Sequence, residues 1–276
     1  MIKQLAFLVI IPLLIISGCK TNPPTSPDIT PTGNVTLNLM VDNSLNILPA
    51  NKVVLIEDFA NVSCIPCVES NKVIEAVSHS YGPTKLAVIK FPTNFPSPYD
   101  PFYLANEEVC DQRMSYYNII AAPTTILDGT TRLYSLTDST TLKSAIDAKL
   151  STTPRFGINV TGNFEGDYII NASISMIDTN GINLNDLIIY CVITETDIEF
   201  EQAPGSNGET KFFDVIRLML PSTAGASVRQ LIDQGELSFQ FKDALLSSWN
   251  LENISAVVFI QDKNSKEVFQ SGSAFE

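Results

Sequence analysis

The sequence predicts an α/β region followed by an all-β sandwich, and three observations carry that prediction. The run Val53-Val54-Leu55-Ile56 is unbroken, apolar and half β-branched, which marks a strand buried on both faces of a sheet. A helical pattern begins directly after Cys64-Ile65-Pro66-Cys67, with Val73, Ile74, Val77 and Tyr81 inward, until Gly82-Pro83 stops it. From about Pro154 the texture changes to repeated short strands separated by turn residues.

Taken from the start, Met1 to Gly18 is a targeting segment and stands outside the fold. Lys3 supplies its positive charge, and its apolar core, Leu5 to Ile16, is short for a membrane span. Its end, Ile16-Ser17-Gly18-Cys19, resembles the bacterial lipobox, which implies cleavage before Cys19 and lipidation of that cysteine. Lys20 to Gly33 is rich in Pro, Thr, Asn and Ser and has too few apolar residues to bury a core, so it reads as a flexible tether. Val35, Leu37, Leu39 and Val41 alternate with polar positions as a half-buried strand.

Of the 276 residues, 17 are basic and 30 acidic, for a formal net charge of −13, which makes nucleic acid an improbable partner. Without Cys19, the thiols are Cys64, Cys67, Cys110 and Cys191, too few to staple the fold, so a packed core must hold it. Cys110 and Cys191 are isolated and His79 is the sole histidine, so neither a zinc site nor another metal site is expected, and no cofactor motif occurs.

The cysteine pair carries the chemistry. Cys64 would sit where free backbone amides and the helix dipole favour a thiolate, and Cys67, three residues on, lies on the same side of the first turn. This spacing allows a small disulfide ring to close and reopen, with Cys64 as attacker and Cys67 as resolving thiol. A static disulfide fits the same spacing.

A second stretch is Ala121-Ala122-Pro123-Thr124-Thr125-Ile126-Leu127-Asp128-Gly129. Together with the first it resembles the thioredoxin superfamily, which implies that Pro123 is a cis-proline facing the redox pair before a strand that ends in a Gly turn. The resemblance also assigns Asp58 the part of the buried acid that moves the resolving thiol's proton. An ordinary strand-end carboxylate is the other reading of Asp58, and Glu57 competes for the role. Ser63 replaces the usual Trp before the first Cys and Ile-Pro replaces Gly-Pro between the thiols, so redox potential and substrate groove do not transfer. Cys67 and Pro123 are 56 positions apart, which implies an insertion between Phe91 and Tyr117.

Leu86 to Phe91 reads as another buried strand, and the prolines of Pro92 to Pro101 force a loop near the site. Asn106 to Tyr117 reads as a helix with Val109, Met114 and Tyr117 inward and Cys110 as a plain buried thiol. Leu142 to Leu150 closes the first region. A polar stretch, Ser151-Thr152-Thr153-Pro154, then divides the chain into two separately folded units, 35–152 and 153–276.

Seven strands are predicted after it: Phe156 to Phe164, Tyr168 to Ile177, Leu187 to Glu195, Phe212 to Leu220, Glu236 to Phe241, Ile254 to Gln261 and Val268 to Gly272. Asp178-Thr179-Asn180-Gly181 and Asp262-Lys263-Asn264-Ser265 read as hairpin connections. This spacing suits an immunoglobulin-like sandwich with Cys191 and Trp249 as core residues.

The combination resembles the twenty-eight-kilodalton outer membrane lipoproteins of Bacteroides-type bacteria. The resemblance rests on Val54-Leu55-Ile56-Glu57-Asp58-Phe59, Ser115-Tyr116-Tyr117, Val215-Ile216-Arg217-Leu218-Met219-Leu220-Pro221 and Val257-Val258-Phe259-Ile260-Gln261-Asp262. It implies a thioredoxin-like domain followed by a β-sandwich, anchored in the envelope through lipidated Cys19. Two functions follow as expectations: a thiol:disulfide oxidoreductase acting on protein thiols or disulfides, or a non-enzymatic binding lipoprotein with a structural disulfide.

Overall fold

A computed structural model of the chain describes residues 51–163, 168–229, 237–241 and 249–274. The leader, Cys19, the tether and the strand expected at Val35 to Val41 lie outside the described residues.

The first region begins with β1 (Val54–Ala60), α1 (Ile65–Tyr81) and β2 (Leu86–Pro92), a parallel pair joined by a crossover helix. β1 is apolar and buried on both faces, as its composition requires. Cys64 occupies the extended position before α1, Pro66 lies in the first turn where no amide is needed, and Gly82 ends the helix at φ 71°. The insertion forms a loop with short α2 (Pro101–Leu104) and then α3 (Glu107–Tyr117). β3 (Thr124–Leu127), β4 (Thr131–Tyr134) and α4 (Ser139–Leu150) complete the region, with the Asp138 carboxylate capping α4 by accepting from the Thr140 and Thr141 amides.

Eight strands follow β5 (Phe156–Asn163) and β6 (Tyr168–Met176). They are β7 (Leu187–Glu195), β8 (Ile198–Glu199), β9 (Lys211–Phe212), β10 (Val215–Leu220), β11 (Ala226–Ser227), β12 (Leu237–Phe241), β13 (Ile254–Asp262) and β14 (Val268–Ala274). All seven predicted strands fall on these elements. The stretch expected as one strand from Phe212 to Leu220 is divided into β9 and β10, with Asp214 left-handed at φ 54° between them.

Among the described residues the main sheet runs β14-β13-β7-β10-β2-β1-β3-β4. The order β2-β1-β3-β4, with β3 and β4 antiparallel, is a central α/β core compatible with a thioredoxin-like arrangement. The sheet does not stop at Leu150. β10 lies parallel to β2 through the pair Val215 and Lys90, and the Lys90 amide donates to the Asp214 carbonyl at 2.8 Å. The C-terminal strands thus extend the sheet of the first region, where the sequence suggested a clean break.

Side-chain alternation sorts the layers. Val54 and Ile56 pack under α1 and α4 with Val73, Ile74, Val77, Leu142 and Ile146. On the other face Leu55 and Phe59 join Met114 and Tyr117 of α3, and that cluster continues into Tyr190, Val192, Val257 and Phe259 of the C-terminal strands. The opposite sides of β7 and β13, through Ile189, Cys191, Ala256 and Val258, pack against Phe156, Ile170 and Ile174 of the sheet β12-β6-β5. Trp249 and Cys191 are core residues there, as expected.

Asp262 to Ser265 forms the expected hairpin, the Asp262 carboxylate accepting from the Asn264 and Ser265 amides at 2.8 Å each. Asp178 to Gly181 does not. β6 belongs to the smaller sheet and β7 to the main one, so this turn crosses between layers.

Candidate functional site

Cys64 and Cys67 form a disulfide across the start of α1, with S–S 2.06 Å and Cα–Cα 5.3 Å. The first thiol is 2% exposed and the second 0%, an order that follows from the helix geometry although both are well covered. Ile65 between them is 75% exposed. The other thiols, Cys110 and Cys191, are buried and free, and burial pushes both up out of the reactive range. No cluster that could hold a metal ion occurs among the described residues.

The register of β1 separates the two neighbouring carboxylates that the sequence left in competition. Asp58 shares the face of Val54 and Ile56, the face that α1 covers, whereas Glu57 points to the α3 side with Leu55 and Phe59. Glu57 is bound there to Arg113 Nε at 2.5 Å and accepts from the Tyr117 hydroxyl at 2.5 Å. It is committed to structure. Asp58 is completely buried; its Oδ1 accepts from the Thr125 hydroxyl at 2.8 Å, and its Oδ2 has no hydrogen-bond partner among the described residues.

Burial pushes the Asp58 carboxyl above the usual carboxylate range, while the Lys90 ammonium and the Thr125 hydroxyl pull the other way. Asp58 and Lys90 are paired across β1 and β2, as Asp58 and Thr125 are across β1 and β3. Lys90 is 7% exposed and donates to Asn71 Oδ1 of α1 at 3.1 Å. Sequence reasoning passed over Lys90, yet the signal was present: one charge inside the apolar run Leu86-Ala87-Val88-Ile89-Lys90-Phe91.

The Ala122–Pro123 bond is cis, and Pro123 is buried. Since Thr124 pairs with Phe59 and β1 runs antiparallel to β3, Pro123 lies at the end of the sheet from which the chain turns toward Cys64. After β3, Gly129 at φ 71° is required, because a Cβ there would come within 1.7 Å of the Lys266 carbonyl.

Two further segments close on the turn before Cys64. The insertion reaches it through Asp100, whose carboxylate accepts from the Val62 amide at 2.9 Å while capping α2 through Phe102 and Tyr103. Asn61 Nδ2 donates to the carbonyls of Thr93 at 2.5 Å and Ser97 at 2.9 Å. The loop predicted near the site is therefore tied to it.

The second segment had no sequence signal tying it to the pair. Residues 200–210, between β8 and β9, lie along the same turn: the Asn207 amide donates to Val62 O at 3.1 Å and the Ser206 amide to Ser63 Oγ at 3.2 Å. Asn207 Nδ2 is within 3.4 Å of both the Asn61 and the Cys64 carbonyls. A Cβ on Gly205 would come within 2.2 Å of Val62 O, so the approach is possible only for glycine. The base of this strap is anchored by Phe200 and Phe212 against Phe102 of the insertion, at 5.7 and 5.0 Å between ring centroids.

No protein-family model matches the chain, and no curated protein matches it. Among solved structures, HBP35 of Porphyromonas gingivalis superposes with TM-score 0.61 at 12% identity, over 81% of this chain and 75% of that one. Protein AGR_C_4864 from Agrobacterium tumefaciens superposes with TM-score 0.54 at 12% identity, over 81% and 95%. At these identities the likeness is one of fold. A domain of the outer membrane lipoprotein Omp28 from Porphyromonas gingivalis aligns with TM-score 0.31 at 14% identity, over 45% of this chain and 93% of that one, too weakly to carry an argument.

Proposed function

We propose that this chain is a lipid-anchored, cell-envelope thiol:disulfide oxidoreductase acting on protein thiols or disulfides. The observation that carries the proposal is a disulfide across the N-terminus of α1, above a sheet that buries the Asp58 carboxyl with one oxygen unpartnered. A thiolate released at that helix end is favoured by the free amides and the dipole. Cys64 is the attacking thiol, Cys67 the resolving one, Asp58 exchanges the proton of Cys67, and Pro123 shapes the edge that a substrate meets. Ile65 and Ile120, 75% and 82% exposed, supply apolar surface between the thiols and ahead of the cis-proline.

The test is a trapping experiment. In Cys67→Ser a mixed disulfide at Cys64 has no resolving partner and is expected to accumulate on envelope proteins in acid-quenched extracts, whereas Cys64→Ser traps nothing. The covered state of both sulfurs supports a second reading, a binding lipoprotein in which the bridge is structural. That reading prevails if neither variant forms reducible adducts and the wild-type pair stays oxidised in strong thiol buffer.

Location is assigned to the lipobox-like Ile16-Ser17-Gly18-Cys19; no helix among the described residues is long and apolar enough to cross a membrane. Cys19→Ser is expected to release the protein from membranes or stall its processing, read by fractionation. A processed, membrane-bound variant would remove the lipoprotein assignment. The two-layer packing of β5 and β6 on β7 and β13 supports a sandwich in the second region, and its immunoglobulin-like topology belongs to this proposal.

A further inference from the structure

The strap between β8 and β9 does more than lie beside the cysteines. Glu209 Oε1 accepts from Asn71 Nδ2 at 2.8 Å, and Asn71 Oδ1 accepts from Lys90 Nζ at 3.1 Å. Glu209 Oε2 accepts from Asn207 Nδ2 at 2.6 Å, and that same amide reaches the Cys64 carbonyl. A hydrogen-bonded chain thus runs from the backbone of the first cysteine, through the strap, to the ammonium that faces Asp58. A cavity of about 30 Å³, room for a water or two, lies beside it, lined by Asn61, Asn71, Lys90, Asp100 and Glu209 among others.

We propose that Glu209 is a positioning residue of the redox site: through Asn71 it holds the Lys90 ammonium away from full pairing with Asp58, keeping Asp58 able to carry the proton that Cys67 exchanges. The proposal rests on the redox reading above and gives the C-terminal region a part in the chemistry. Without Glu209 the lysine loses the partner that anchors Asn71, and one anion disappears from the surroundings of Asp58. Both changes favour ionised Asp58. The Glu209 carboxylate indeed acts on Asp58 in the raising direction, opposite to Lys90.

The charged and polar groups acting on Asp58 are Lys90 from β2, Thr125 from β3 and Glu209 from the strap. Lys90 also acts on Asp214, half-buried, whose carboxyl burial raises to about 6 and around which His79, Asp197 and Glu75 are arranged. Asp214 is a second carboxyl that Lys90 acts on, so the readout must be specific to Asp58.

A reductant thiolate attacks Cys64 Sγ, the Cys64–Cys67 bond breaks, and its electron pair leaves on Cys67 Sγ, which takes the proton of Asp58. A second thiol of the reductant then attacks the mixed disulfide, releasing Cys64 as thiolate and leaving the reductant as a disulfide.

The experiment follows the Asp58 carboxyl by carbon-13 titration in the oxidised, soluble chain from residue 20 onward, with Asp58→Asn identifying the signal. Glu209→Gln and Asn71→Ala are each expected to lower the Asp58 midpoint by about half a unit or more. The pH profile of reduction by a small dithiol should move to lower pH by the same half unit, a loss of rate of about threefold on the alkaline side of the Asp58 midpoint. Glu201→Gln, an equal loss of charge on an exposed strap residue, should overlay wild type. Should Glu209→Gln fail to fold, Asn71→Ala carries the same reading. Midpoints unmoved in the folded variants overturn this inference alone; a wild-type disulfide that no thiol reduces at any pH overturns the redox reading and this inference with it.

Discussion

Arg113→Ala is expected to lower the unfolding free energy by about 3–5 kcal/mol, the cost of leaving one member of a buried ion pair unpaired. Its guanidinium donates to Glu57 Oε1 at 2.5 Å, to Gln261 Oε1 at 2.9 Å and to the Tyr117 hydroxyl at 3.2 Å. It also stacks within 4.8 Å of the Tyr116 and Tyr117 ring centroids and 5.3 Å of that of Tyr190. Burial alone would pull the guanidinium down, but the Glu57 carboxylate, with the tyrosines, reverses the sign and holds it above its usual value. Truncation leaves the fully buried Glu57 without its cation, and against a total stability of about 5–15 kcal/mol that is a large share.

In thermal unfolding the loss corresponds to a drop of roughly 6–20 °C for a chain of this size. The double variant Glu57→Leu with Arg113→Met removes both charges and should recover part of it, since an apolar pair has no desolvation debt. If Arg113→Ala melts within 2 °C or so of wild type, the cluster is not a structural centre.

Cutting the chain between Leu150 and Phe156 is expected to leave two products that do not fold alone. The apolar cluster around Leu55, Phe59, Ile89 and Met114 takes Val192, Ile216, Val257 and Phe259 from beyond the cut. The polar seam crosses the cut too: Val53 N–H donates to Gln270 Oε1 and the Ser271 hydroxyl to Val53 O, both at 2.9 Å. Lys52, paired with Asp128 at 2.9 Å, has the Phe269 carbonyl within 3.4 Å. Each half would expose a large apolar surface and buried polar groups that lose their partners. Near-ultraviolet circular dichroism and size exclusion of Thr153 to Glu276 should show an unfolded or aggregated product. A monomer with a cooperative transition would mean that the shared cluster is a docked interface between independent units.

Some of this architecture is written locally. A short apolar run buried on both faces, a proline in the first turn and a glycine stop determine β1 and α1, because these signals depend only on neighbours in the chain. The same holds for strand content after Pro154, where alternation located every expected strand to within a few residues. It also holds for the cysteine pair, whose i, i+3 spacing on one turn permits a bridge whatever the rest of the fold does.

The tertiary structure decided what lies beside what. Nothing in Val215 to Leu220 announces that it will pair with β2, because backbone edges carry no residue-specific label and the pattern is that of any buried strand. Which layer Glu57 and Asp58 each enter needed the register, since adjacent residues of a strand face opposite layers and only the assembled sheet assigns α1 to one side and α3 to the other. Lys90 was a visible anomaly without a visible reason until Asp58, Asn71 and Glu209 surrounded it. The strap over Cys64 comes from 143 residues downstream, held by backbone amides and the missing side chain of Gly205, and contacts of that range and kind leave no periodicity in a sequence.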